Sequence, residues 1–222
     1  MALSPEQTVC LRNAIACYGF PPNYFNFTKN IPERLHDTKA VEIAIRQGLI
    51  SGKPEPVKNA LSNVLYWGYG TMGIRDTRVS RFRNRLTGAQ LTQACNLFCT
   101  PMVPSVMEIK KLRLPEFSGL SFVSKVRMFL DPDHSAILDW QIMKIRDRCP
   151  NTVLAQFGLG DSTQIRITAD NSNAYEAWCQ RMMDISRMHF GGRFRAVDVE
   201  RGLFQLVQSG DVDTAARILR DA

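Results

Sequence analysis

The chain has no apolar run approaching the roughly 18 residues that a membrane span needs. Its opening residues alternate polar and apolar, and lack the pattern of a secretory leader. Its six cysteines, Cys10, Cys17, Cys95, Cys99, Cys149 and Cys179, are scattered. Only Cys95 and Cys99 lie one helical turn apart, without a second pair or a histidine at zinc-ligand spacing. Four thiolates grouped for an iron–sulfur cluster are missing too. Reduced thiols in a helical core are expected, with no metal site and no cofactor. The three histidines, His36, His134 and His189, stand apart from one another and acquire no role. Internal repeats and low-complexity tracts are absent. Strand-like alternation is confined to Gln164–Thr168, too short and isolated to define a sheet.

What remains is helical punctuation. Ser4-Pro5-Glu6-Gln7 places a Ser cap, a Pro at the first helical position and a Gln three residues on, which predicts a helix ending near Cys17. Val41, Ile45 and Leu49 keep a helical period over residues 39–50, ended by Gly48 to Gly52. Pro54 and Pro56 open a further helix carrying Val57, Leu61, Val64, Leu65 and Tyr66, closed at Gly68 and Gly70. Thr87-Gly88-Ala89-Gln90 repeats the capping box, with Leu91, Ala94, Cys95, Leu97 and Phe98 as the buried stripe. Further helices are expected over 118–130, 140–147, 173–189, 197–208 and from the Asp211 cap to about Arg220. The fold class is all-α. Residues 1–222 are expected to form one domain, with 100–104 as the candidate break between two lobes, while 19–37 reads as loop.

Charge narrows the partners. Lys and Arg number 28 against 21 Asp and Glu, a formal net charge of +7, which favours a polyanion because cations held near phosphates release condensed counterions. Arg75, Arg78, Arg81, Arg83 and Arg85 form a basic segment in which 78, 81 and 85 follow helical spacing. They either track phosphates or form a solvated face with salt bridges. Arg193, Arg195 and Arg201 surround Asp198 and Glu200 just before Phe204, and those carboxylates either line a pocket or pair with the arginines.

The most informative stretch runs from Leu114 to Asp139. Pro115 and Gly119 frame a tight turn whose amides, with Ser118 and Ser121, can face an anion. The helix that follows carries Leu120, Val123, Val126 and Leu130 on one face, with Lys125 beside it and Phe122 and Phe129 within a turn. Apolar surroundings favour a free amine, and a free amine attacks carbon electrophiles to form a Schiff base. The bland reading is a lysine snorkelling at a helix edge. After Asp131-Pro132-Asp133, the run Ala136-Ile137-Leu138 delivers Asp139 to a helix start, where amides and dipole favour the carboxylate. Asp139 is then either a cap alone or an anion able to stabilise positive charge developing on a sugar.

These residues resemble the helix-hairpin-helix DNA glycosylases, specifically the 8-oxoguanine glycosylase-like branch. The likeness covers roughly residues 112–146. Leu114-Pro115 through Gly119-Leu120-Ser121 resembles the family hairpin, usually Leu-Pro-Gly-Val-Gly, with Ser121 standing for its second glycine. Residues 124–132 and Ala136–Asp139 resemble the segment leading to the catalytic aspartate. The lysine-to-aspartate interval is several residues shorter than the family's, and Lys125 lies about two positions beyond the usual lysine place. The resemblance implies a compact helical fold with its hairpin-helix near 114–130; the missing leader pattern and apolar run lead to the expectation of a cytoplasmic, nucleoid-associated location. The resemblance also implies Lys125 as Schiff-base nucleophile, Asp139 as its carboxylate, and no cofactor. The implied partner is double-stranded DNA holding a damaged or modified base, flipped out for excision. Gly119, Ser121, Arg78, Arg81 and Arg85 would hold the DNA, and Trp67 and Phe204 would line the base pocket. Base excision with or without strand lysis remains open, as does a non-enzymatic sensor on the same scaffold. Housekeeping repair and defence against foreign DNA are equally compatible with it.

Overall fold

The computed structural model describes residues 2–159 and 164–222. Among them are eleven α-helices, one short 3-10 helix and a two-stranded hairpin, an all-α architecture apart from that hairpin. None of these helices is long and apolar enough to cross a membrane. The chain divides into two compact units, one from residues 20–130 and one from residues 1–19 together with 131–222. The division falls at these two crossings, whereas 100–104 lies inside the continuous unit.

In the continuous unit, residues 19–37 depart from the loop expected of them. β1 (Asn23–Asn26) and β2 (Ile31–Arg34) pair antiparallel, Phe25 opposite Pro32. The turn between them places Asn30 at φ 55, a left-handed conformation that Asn tolerates better than most side chains. Asn63, fully buried on α3 (Pro54–Gly68), anchors the hairpin by accepting from the Phe25 amide at 2.8 Å and donating to the Phe25 carbonyl at 3.0 Å. Its amide thus meets both backbone groups of one residue, satisfying a buried polar side chain. α2 (Thr38–Leu49) packs on α3, with Ile45, Leu49, Leu61 and Leu65 completely buried.

Two helices of this unit were not expected. α4 (Arg75–Arg85) has an uncapped start at Ile74 and buries only Val79 and Phe82. α6 (Val106–Lys111) is fixed by a third capping box, in which Ser105 and Glu108 satisfy each other's amides. α5 (Gly88–Phe98), with its Thr87 cap, and α7 (Leu120–Leu130) complete the unit. Each such cap contributes about 1 kcal/mol.

In the unit built from both chain ends, α1 (Pro5–Ala16) packs along α10 (Ala196–Gln208). A Cβ at Gly202 would stand 2.7 Å from both Ile15 Cγ1 and Leu11 Cδ1, so glycine permits this close approach. α8 (Trp140–Arg148) and α11 (Val212–Asp221) pack together. α9 (Ala169–Phe190) carries Tyr175, Trp178, Met182 and Ile185, all completely buried, and ends at Gly191 with φ 60. The 164–168 segment forms no strand: Ile165 and Ile167 are buried, Arg166 makes a lone bridge, and Thr168 caps α9.

Candidate functional site

Lys125 is buried, with 6% of its surface exposed, which excludes the snorkelling reading. Its helix, α7, follows a turn held by the Phe117 amide donating to the Leu114 carbonyl at 3.2 Å. Glu116 in that turn has φ 67, a left-handed position of the kind glycine usually fills. Its carboxylate accepts from Arg78 Nη1 at 2.8 Å and lies 3.5 Å from Arg81 Nη1, so two arginines of α4 anchor the strained turn. Within the basic ridge, Arg78 and Arg81 thus pair with the hairpin's Glu116, while Arg85 faces solvent.

Inside α7 the Lys125 ammonium reaches back one turn. Nζ donates to the Ser121 carbonyl at 3.2 Å and approaches Ser121 Oγ at 3.5 Å. It also lies 5.2 Å from the Phe122 ring centroid, a cation–π distance. Ser121 therefore belongs to the helix's first turn and orients the amine, while Gly119 precedes the helix and accepts from the Val123 amide at 3.3 Å. The wall on the other side is α3. A Cβ on Gly68 would come within 2.7 Å of Phe122 Cε1 and within 3.2 and 3.3 Å of Lys125 Cδ and Cε, so the lysine stem lies against bare backbone. Tyr69 stacks tilted on Phe122 with centroids 4.4 Å apart, and Phe117 meets Phe122 edge-on at 6.2 Å. Phe129 instead packs on Trp67 at 5.4 Å. Trp67, also edge-on to Phe20 at 4.7 Å, is 2% exposed and holds the core, its Nε1 lacking a hydrogen-bond partner among the described residues.

Asp139 sits in the other unit, at the N-cap of α8. Its Oδ1 accepts from the amides of Gln141 at 3.0 Å and Ile142 at 3.3 Å, which fixes the carboxylate at the positive helix end. The preceding run is tied down by α9. Tyr175 donates its hydroxyl to the Ala136 carbonyl at 2.8 Å, Trp178 Nε1 donates to the Ile137 carbonyl at 3.0 Å, and Cys179 Sγ accepts from the Ala136 amide at 3.5 Å. These three supports were invisible to sequence reasoning, because apolar-looking helix positions reveal nothing of distant backbone partners.

The charged cluster before Phe204 resolves mainly into pairing. Arg195 clamps Asp198 with contacts of 2.7 and 2.9 Å, and Arg201 Nη1 stands 3.8 Å from the same carboxylate. Burial alone would raise the Asp198 carboxyl, but the hydrogen bonds and charge of Arg195, with the charge of Arg201, hold it below the ordinary aspartate value. Arg201 also lies over the Tyr18 ring at 5.0 Å, and Tyr18 meets Phe204 edge-on at 6.2 Å. Burial drives the Tyr18 hydroxyl strongly upward; Arg201 opposes this, whereas the nearby carboxylates of Glu200 and Asp139 add to it. Tyr18, Asp139, Glu200 and Arg201 therefore share one electrostatic environment. Phe204 is 8% exposed and belongs to the buried face of α10.

No protein-family model, curated protein or solved structure matches this chain.

Proposed function

We propose that the chain is a DNA glycosylase that removes a damaged or modified base, with Lys125 as nucleophile and Asp139 as the stabilising carboxylate. The observation that carries the reading is Lys125 itself: a buried lysine whose amine is steered by Ser121 and walled by Phe122 and the bare backbone of Gly68. In the proposed reaction Lys125 Nζ first gives up a proton to water, and the resulting amine attacks deoxyribose C1′. The C1′–N glycosidic bond breaks with its electron pair leaving on the base, which takes up a proton. Proton loss from the new ammonium and opening of the sugar ring leave an imine between Nζ and C1′. Asp139, held as a capping anion, stabilises positive charge on the sugar as the base departs. The DNA contact is drawn from Gly119, the first turn of α7 and Arg85, with duplex DNA as partner.

Borohydride trapping on duplexes carrying an abasic site or a panel of modified bases tests this directly. The expected result is a covalent adduct with the native chain and none with Lys125→Gln. Base release that depends on Asp139 without any adduct would remove Lys125 from the mechanism and mark a monofunctional enzyme. Tight duplex binding with neither adduct nor release would identify a sensor of modified bases.

A further inference from the structure

A cleft of about 410 Å³ lies wholly within the continuous unit, between the β1–β2 hairpin, α3 and α4. Phe25, Phe27 and Tyr66 provide its aromatic surface, and Arg83, Ser80 and Asn84 its polar side, together with Asp76, whose carboxylate is paired with Arg75 at 2.8 Å. Its volume falls within the range of small-ligand sites. The aromatic rings brace one another: Phe25 lies 4.7 Å from Phe27 and 5.4 Å from Tyr66 by ring centroids. Phe25 and Phe27 are only half-buried, although they sit on a hairpin whose backbone Asn63 fixes from behind.

The guanidinium of Arg83 lies over the Phe27 ring at 4.2 Å. Its side-chain hydrogen bonds both leave from Nη1, to Asn59 Oδ1 at 2.8 Å and Ser62 Oγ at 3.1 Å, and both acceptors are neutral. Burial lowers the basicity of this guanidinium, and only the more distant charge of Glu55 opposes that. By contrast Arg75, which lies over Tyr66 at 4.1 Å, is matched by Asp76 at 2.8 Å. Arg83 is thus a desolvated cation, preset by its neutral partners and offering Nε and Nη2 beside a half-exposed aromatic face. A ligand that satisfies both features carries a planar ring and an anionic oxygen group.

We infer that this cleft binds a nucleotide, its base stacked against Phe25 and Phe27 and its phosphate on Arg83. Arginine suits the phosphate because its planar fork offers paired donors, and base–aromatic stacking tolerates any base. Ser80 and Asn84 supply hydroxyl and amide groups at the exposed rim. The same chemistry is offered by a free mononucleotide and by an unpaired nucleotide within a DNA strand. The inference does not depend on base excision, since none of these residues belongs to the Lys125 or Asp139 environments.

Amide chemical-shift titration of the whole chain tests it, with adenosine monophosphate, adenosine, phenyl phosphate and a short single-stranded oligothymidylate as probes. Shifts at Phe27 and Asn84 are expected with the nucleotide, weaker ones with adenosine, and little with phenyl phosphate. Phe27→Leu keeps apolar bulk but removes the stacking face, and should weaken binding about tenfold. Asn84→Asp, on an exposed position, should repel the phosphate and weaken the nucleotide more than the nucleoside. Binding of the oligonucleotide alone would assign the strand as source, and binding of the mononucleotide alone would assign the free ligand. Absence of shifts in the cleft with every probe, phenyl phosphate binding as tightly as the nucleotide, or unchanged affinity in Phe27→Leu would each overturn the assignment.

Discussion

Replacing Asp139 by asparagine keeps an oxygen able to accept from the Gln141 and Ile142 amides while removing the charge. Asn and Asp are comparable N-caps, so Asp139→Asn should melt within about 0.5 kcal/mol of the native chain, whereas Asp139→Ala should lose about 1 kcal/mol. If the carboxylate serves excision, Asp139→Asn should nevertheless slow base release by about 100-fold or more. Parallel melting and single-turnover measurements separate the two roles. Gly68→Ala is the complementary case. Its methyl would enter the space of Phe122 and the Lys125 stem, costing about 1–3 kcal/mol by overpacking and displacing the amine. Gly73→Ala, where a Cβ meets nothing within 4 Å, is the control and should leave imine trapping intact. Asp198 adds a dependence on pH. Its carboxyl is held below the usual 3.8, so its contribution is complete above that value and is lost as pH falls through the lower folded value. Asp198→Asn should cost about 2 kcal/mol at neutral pH, with the difference from the native chain shrinking in acid below about pH 4.

At the scale of elements, caps and period were the legible signals. The Ser4 and Thr87 boxes mark real helix starts, and the helices expected over 118–130, 140–147 and 197–208 appear within about two residues of their bounds. α4 was obscured for a physical reason: it has no side-chain cap and buries only two residues, so its backbone is held chiefly by neighbours. α6 carries a local signal of its own, for Ser105-Val106-Met107-Glu108 has the same box as the others. The hairpin was hidden because its clamp, Asn63, lies 38 residues downstream of Phe25. The candidate site was legible as residue types, Lys125 and Asp139, but not as environment. Nothing local shows that Ser121 would turn from hairpin glycine substitute into the amine's partner, or that Arg78 and Arg81 would be spent on Glu116. Two substitutions on α4 follow. Arg78→Ala should destabilise the turn at Glu116 by about 1–3 kcal/mol, read by denaturant unfolding. Arg85→Ala should leave stability unchanged and lower the salt slope of duplex binding by about one.

For the whole molecule, a formal charge of +7 makes the salt dependence of duplex binding the first global check. A contact with about four phosphates would weaken roughly a hundredfold between 50 and 200 mM salt, and a flat response would remove DNA as the partner. The division of the chain matters for synthesis as well as for binding. Residues 20–130 form a continuous stretch, whereas α1 must wait for α10, the two meeting at Leu11, Ile15 and Gly202. As the chain is made, residues 20–130 have all their own partners before α10 exists, while α1 remains without its main packing surface until residues 196–208 have followed. α1 is therefore an element that a chaperone or protease would meet for long, and deleting α10 should expose Leu11 and Ile15.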